Sequence, residues 1–322
     1  MNFALSTHWN ASRHSKGETL IEEILQLGFR KVELGYDLRM ELVPGVQDMV
    51  RRGAVKIDSL HNFCPVPIGA PRGHPELYTL ASRDERERQS AIQHTSRTIR
   101  FAAEVGARVV VTHAGNVDMP MMSTQLFEMC LAGEQYTPRF EKVKLKLTAV
   151  RERKAPRQLD YLYQGLEALL PVLQETGIVL GIENLPTWEA FPTEVEFEGI
   201  ARRFDPRYIR YWHDLGHGQI RENIGFINHE RWLERLQPFL VGMHVHDVAP
   251  PATDHVMPPL GHLDFPRFQR FATSDTIKVI EPSSRTPPEE IVAALKFLKE
   301  CWGAPRRGPA ATAWSHNERL RE

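Results

Sequence analysis

Cysteine, net charge and long apolar runs are all scarce in this chain of 322 residues. The only three cysteines, Cys64, Cys130 and Cys301, are far apart and odd in number. That suits a reducing compartment better than a disulfide framework, and it leaves no thiolate pair for a soft-metal site. No run of about 18 apolar residues occurs, so no membrane span is expected. The start, MNFALSTHWNASRHSKGE, lacks a cationic region followed by an apolar stretch, and the chain reads as soluble and cytoplasmic. Lys and Arg total 40 against 41 Asp and Glu, a formal net charge of -1. Nothing global therefore calls for nucleic acid, although local basic patches stay open.

What is present is enough for a large core, at 42% hydrophobic and 25% charged residues. Barrels of roughly 250 residues form one domain with room for insertions, so a single domain over residues 1–302 is the simpler count. Short β-branched runs alternate with longer amphipathic segments, as parallel strand-helix units do. Strands are expected at 2–6, at 31–34, in VKIDSLHNF ending near His61, in ARVVVTHAG ending on His113, and in IVLGIE, YIRYW, LVGMHVHD and TIKVIE. A helix is expected over 17–28, and RDERERQSAIQHTSRTIRFAAEVGA should form another, with Ile92, Ile99, Ala102, Ala103 and Val105 as its apolar stripe. Eight such units predict an α/β fold, a (β/α)8 TIM barrel.

One interval breaks the rhythm. His113 and Glu183 lie twice the usual spacing apart, which places a helical insertion at about 119–160, after the fourth strand. Pro156 is expected to break that helical stretch in two. Its basic run, Arg139, Lys142, Lys144, Lys146, Arg151, Arg153, Lys154 and Arg157, reads first as a solvated face and second as a phosphate-binding or homo-oligomer contact surface. Residues 303–322 have little apolar periodicity and are expected to form a tail outside the barrel.

Four consecutive strands end on a metal-type ligand: Glu183, Asp214, His244 and Glu281. Carboxylates and an imidazole suit a harder or borderline divalent cation such as Mn²⁺, Mg²⁺, Co²⁺ or Zn²⁺. An ionised glutamate ending a buried strand is costly unless it is paired or metal-bound. Taken singly, each of the four could equally be a structural ion pair; four in a row make coincidence the weaker reading. His61, His113, His217, Asp254 and His255 fall on the same rim as candidates for additional metal, though a lone histidine there is more often a hydrogen-bonded wall residue. In HVHD, strand alternation sends His244 and His246 to one face, with His246 nearer the rim for substrate or for a supporting hydrogen bond. Trp9, Phe63, Trp188 and Trp212 could stack on sugar faces or simply pack in the core. Arg285, after the last strand, stands where barrels often meet a phosphate.

The ordered set GIEN, HDLGH, HVHD, PLGHLDF and VIEP, covering roughly residues 2–302, resembles the xylose isomerase-like TIM barrel superfamily. That group includes sugar phosphate isomerases and epimerases, inosose dehydratases and family 2 abasic-site endonucleases. The resemblance implies that Glu183, Asp214, His244 and Glu281 form the single-metal site of the epimerase-type members and that His217 contacts substrate. His61 and His113 correspond to the extra ligands of the endonuclease-type members. Those members use an Asp-x-His pair for a third metal, whereas here Asp254 and His255 are adjacent and followed by Pro258 and Pro259. The expected function is therefore a divalent-metal isomerase or epimerase of a small carbohydrate, with Glu183 and Glu281 transferring the proton beside a chelated carbonyl. A lyase or dehydratase on a keto-polyol needs the same first step. A multinuclear abasic-site phosphodiesterase is the competing class.

Overall fold

The structure is a computed structural model describing residues 1–303. Beyond Gly303, the expected tail lies outside the described residues. Seven strands, β1 (Ala4–Ser6), β2 (Lys31–Leu34), β3 (Lys56–His61), β4 (Val109–Thr112), β5 (Val179–Glu183), β6 (Ile209–Asp214) and β7 (Leu240–Val245), precede a hairpin of β8 (Asp247–Ala249) and β9 (Thr253–Val256). The chain then forms β10 (Ile277–Ile280). All but the hairpin pair in parallel and close into a barrel, with Leu5 beside Val32 at one seam of β1 and Ala4 beside Val279 at the other. The (β/α)8 expectation holds; the β8–β9 hairpin is an addition to the eight expected strands.

Outside the wall lie α1 (Gly17–Gln26), α2 (Val43–Arg51), α3 (Glu85–Glu104), α4 (Met122–Leu131), α5 (Pro138–Thr176), α6 (Glu194–Arg203), α7 (Leu215–Asn223), α8 (His229–Leu236) and α9 (Pro288–Gly303). Among the described residues no helix is long and apolar enough to cross a membrane. The stripe of α3 is more polar than expected. Ala103 is exposed, while Thr95 and Thr98 are buried and accept hydrogen bonds from Asn62 Nδ2 (2.9 Å) and the Cys64 amide (3.1 Å) in the loop after β3.

Alternation along each strand determines what the lumen contains. Ala4, Val109, Val111, Trp212, Ile277 and Val279 form a small core of their own, separate from the main core beneath the helices. Trp212 can occupy the lumen because glycine faces it from both neighbouring strands. A Cβ on Gly242 would sit 2.1 Å from its ring, and one on Gly181 would be 3.3 Å from its Cβ. Two residues further along the same inward faces come Glu183, Asp214 and His244. The packed lumen is thus the floor, and the polar residues stand on it.

Pro156 does not break the insertion; α5 runs through both Pro156 and Pro171. A mid-helix proline costs about 3 kcal/mol, and tertiary anchors on either side of it offset that cost. Arg151, 5% exposed, forms a two-pronged pair with Glu196 (2.7 and 2.8 Å) and donates to the carbonyls of Trp188 and Ala190. Gln158 accepts from the Asp118 amide (2.7 Å) and donates to the carbonyls of Ala81 and Asn116. Much of the basic run is likewise occupied: Arg139 with Glu134, Lys144 with the Gly225 carbonyl, Lys154 with the Asp118 carbonyl and Arg157 with the Tyr161 hydroxyl. Of these, the Lys144 and Lys154 bonds tie α5 to neighbouring loops, the Arg139 and Arg157 bonds are local, and Lys142, Lys146 and Arg153 remain exposed. Glu189 closes the same region from the loop after β5. Its carboxylate accepts from the Met122 and Ser123 amides at the start of α4, where the N-cap offers no side-chain acceptor.

Candidate metal centre

His244, fully buried on β7, is the hub. Its Nδ1 lies 3.1 Å from Glu183 Oε1, 3.3 Å from Glu281 Oε2 and 3.7 Å from Asp214 Oδ2. Metal-ligand bonds of about 2.0–2.2 Å put neighbouring ligand atoms roughly 3.0–3.5 Å apart; Glu183 and Glu281 lie at that spacing from His244 and Asp214 slightly beyond it, and Glu183, Asp214 and His244 together form one potential ligand set. Trp212 closes the floor, its ring edge-on to His244 at 5.1 Å between centroids. It is not a surface for substrate.

Glu183 divides its carboxylate between two groups. While Oε1 faces His244, Oε2 lies 3.2 Å from His61 Nε2 and 3.3 Å from His113 Nε2. His61, His113 and Glu183 therefore form a second potential ligand set beside that of Glu183, Asp214 and His244. A third set gathers His217, His246 and His255. Here the hairpin matters. His255 has a left-handed backbone (φ 52°), a conformation in which histidine is enriched relative to most residues. That turn breaks strand alternation, so adjacent side chains both approach His217: Asp254 Oδ2 at 3.8 Å from Nε2, and the His255 ring at 6.4 Å between centroids. His246 joins them by stacking on His255 (4.4 Å) and meeting Asp214 Oδ2 at 3.1 Å.

Charge balance holds these groups in place. Burial alone would raise the Glu183 carboxyl pKa, yet His244 and His113 hold it well below its ordinary value. Asp214 is likewise buried but held far down by His217 and His246, and Glu281 is lowered by His244 and His255. In return, His113 overcomes its burial through Glu183 and Glu76 and rises to about 10, and His246 rises to about 9 through Asp214. The donors, carboxylates and imidazoles, suit a divalent cation in place of those protons, and among the described residues no cysteine joins a potential ligand set.

Asn184, quoted in the GIEN motif but assigned no role there, organises one side of the centre. Its Oδ1 accepts from the Asp214 amide (2.8 Å) and the Tyr211 hydroxyl (3.0 Å), its Nδ2 donates to the Asp214 carbonyl, and its own carbonyl meets His217 Nδ1 at 3.0 Å. With Nδ1–H so engaged, His217 turns Nε2 towards the cavity. The network continues outward. Since Tyr211 donates to Asn184, it accepts from His213 Nδ1 (2.9 Å), and His213 Nε2 then accepts from His229 Nε2 (2.9 Å). His229 Nδ1 is left buried without a hydrogen-bond partner among the described residues.

Burial, aided by Arg267, drops the His229 pKa to about 3 from an ordinary 6.5. A depressed folded-state value means that its contribution to stability is complete above 6.5 and is lost as pH falls towards 3. His229→Gln, which retains a donor for His213, is expected to flatten the fall in stability between pH 6.5 and 4 by up to about 1.4 kcal/mol per pH unit. Urea unfolding across that range measures it, and an unchanged slope would clear His229 of the effect.

Two expected substrate contacts sit differently. Trp188 stacks on Phe226 (4.5 Å) beneath Arg221 and belongs to the core of the insertion. Arg285 is exposed after β10, its guanidinium without a side-chain partner among the described residues. Trp9 and Phe63 are buried, and the Trp9 indole donates to the Thr286 carbonyl. The residue that sequence reasoning missed is Glu33 on β2, fully buried and 3.0 Å from His244 Nε2. Its one signal was an acidic residue between Val32 and Leu34 in a strand of four.

Comparison with known proteins agrees with this architecture. Residues 21–301 match the family described as xylose isomerase-like TIM barrel. No curated protein matches the chain by sequence. Among solved structures, a D-tagatose 3-epimerase-like protein superposes with a TM-score of 0.67 at 19% identity, over 94% of this chain and 97% of its own. The 3-keto-D-glucoside 4-epimerase of E. coli gives 0.65 at 16%, over 94% and 100%. The IOLI protein, solved with a zinc atom, gives 0.63 at 13%, over 94% and 98%. At such identities the likeness speaks to fold, which the closed parallel barrel shares. With the family match spanning most of its length, the chain belongs to the xylose isomerase-like TIM barrel family.

Proposed function

We propose that this protein is a divalent-metal-dependent isomerase or epimerase acting on a sugar, sugar phosphate or related polyol. The observation that carries the reading is the convergence of Glu183, Asp214 and Glu281 on His244 Nδ1 within 3.7 Å. A bound cation would polarise a substrate carbonyl and its adjacent hydroxyl, acidifying the proton between them. Glu183 and Glu281 are the groups that move that proton. They stand on strands separated around the barrel by β6 and β7, and so reach the cavity from different sides. One removes the proton and the other returns it, on the opposite face for an epimerase or at the neighbouring carbon for an isomerase. Holding both carboxyls ionised is the work of the surrounding imidazoles. His217, whose Nε2 faces the cavity, is proposed to orient a substrate hydroxyl, while His246, fully buried with Nε2 3.1 Å from Asp214 Oδ2, supports that side of the site from behind. The epimerases among the structural relatives support the same class of substrate.

One observation favours a second reading. Glu183 Oε2 between His61 and His113 could bridge to a second cation, and clustered metals suit phosphodiester hydrolysis at an abasic site. Elemental analysis of the purified protein, paired with a screen of free and phosphorylated keto- and aldo-sugars for proton exchange in D₂O, tests both. About one metal per chain with deuterium incorporation is the expected result. Close to three metals and no exchange with any sugar would replace the isomerase with the hydrolase.

A further inference from the structure

Glu33 has no part in the proposed chemistry, yet it is as buried as any residue of the centre. Both of its oxygens are engaged: Oε1 lies 3.0 Å from His244 Nε2, and Oε2 accepts from the Ser59 hydroxyl at 2.7 Å. No lysine or arginine pairs with it among the described residues. Its position follows from the barrel wall. The register of β2 against β3 slips between Val32 and Glu33, which brings Glu33 beside Ser59, while on the other side it lies beside Ser6. Bulges of this kind re-aim side chains near functional sites, and the two small neighbours leave room for the carboxylate to reach across to β7.

The contact selects one form of His244. A neutral imidazole carries a single N–H, and a carboxylate 3.0 Å from Nε2 draws that hydrogen to Nε2. The lone pair then sits on Nδ1, the atom that faces Glu183, Asp214 and Glu281. With no cation there, Glu183 Oε1, 3.1 Å from Nδ1, draws a hydrogen to that nitrogen as well; a bound cation takes the place of that hydrogen and leaves the one on Nε2 to Glu33. Resting on the metal-centre reading above, we propose that Glu33 is a positioning residue for that metal, holding His244 in the Nε2–H form with Nδ1 presented as the ligand atom. Carboxylate partners behind ligating histidines orient the ring and raise its basicity, and their loss typically weakens metal binding 10–100-fold.

The test is a titration of the full chain, stripped of metal with a chelator, with Co²⁺, whose visible absorption reports on its ligands. Glu33→Gln is expected to lower Co²⁺ affinity by about 10–100-fold and to shift that absorption. The melting temperature of the stripped protein should fall in either case, because one member of a buried pair is lost, so the discriminating readouts are Co²⁺ affinity and absorption. A carboxylate with a purely structural role would lower the melting temperature with Co²⁺ affinity and absorption unchanged, and that result overturns the proposal. Ser59→Ala frees Oε2 without touching the pair with His244 and serves if Glu33→Gln does not fold. It should weaken Co²⁺ binding about two- to tenfold, a fraction of the outer-shell effect, and unchanged affinity in it overturns the proposal as well. Wild-type protein that binds no Co²⁺ would remove the metal-centre reading itself, whereas wild-type and Glu33→Gln proteins that bind equally remove only the role of Glu33.

Discussion

Glu183→Gln is expected to abolish turnover, by more than about 10⁴-fold, and with it stoichiometric metal binding. The substitution keeps shape and removes charge at a residue that four histidines approach. Glu183 Oε1 lies 3.1 Å from His244 and 3.6 Å from His217, and Oε2 lies 3.2 and 3.3 Å from His61 and His113. A glutamine presents one acceptor and one N–H₂, so at least one of those imidazoles meets a donor where it had an acceptor. Metal affinity should fall by more than the 10–100-fold typical of outer-shell partners, since an inner ligand is lost. Stability should fall too: removing one member of a buried charge pair costs about 3–5 kcal/mol. His113, raised to about 10 chiefly against its own burial by Glu183, should titrate nearer to an ordinary histidine in the variant. Metal content, thermal melting and the imidazole NMR titration read these three effects separately. A Glu183→Gln protein that still purifies with a full equivalent of metal would contradict the placement of this residue at the centre.

Glu281→Gln is expected to separate binding from chemistry. Glu281 stands one residue beyond β10, 5% exposed, with its backbone held by the Val245 carbonyl and by His255 Nδ1. Its carboxylate meets one imidazole, His244, at 3.3 Å. Fewer partners depend on it than on Glu183, so metal affinity should fall less than in Glu183→Gln, and saturating metal should restore occupancy. What should not survive is proton transfer, because glutamine cannot accept a proton at neutral pH. General acid-base groups contribute about 10²–10⁴-fold, and solvent-deuterium incorporation at the substrate carbon should drop by that factor. If exchange persists at the wild-type rate in metal-loaded Glu281→Gln, the base is another residue.

Much of this centre was legible because barrel geometry turns spacing into position. Strand-helix units of similar length put Glu183, Asp214, His244 and Glu281 at successive strand ends, and parallel strands in sequence order must bring those ends to one rim. His61 and His113 followed from the same rule. Glu33 did not, since a single glutamate in a strand of four looks like any half-exposed strand residue until the opposite wall is in place. Asn184 was hidden for a related reason: its bonds go to Asp214, Tyr211 and His217 on the next strand and helix, and an amide carries no signature of its partners. The Pro156 expectation failed because helix propensity is local, while the anchors at Arg151 and Gln158 reach the loops after β4, β5 and β3.

The amino-acid sequence by itself determined the alternation that sends Gly181 and Glu183, Trp212 and Asp214, and Gly242 and His244 to the same face of their strands. That periodicity is a property of each strand alone. Only the tertiary structure decided which atom of each side chain meets which. The split of Glu183 between His244 and the His61–His113 pair depends on strand tilt and stagger around a closed barrel. So does the commitment of His244 Nε2 to Glu33, 211 residues away along the chain. A left-handed turn at His255 likewise gathers Asp254 and His255 about His217. These contacts cross the lumen between segments remote in sequence, and no local pattern encodes the distance across it.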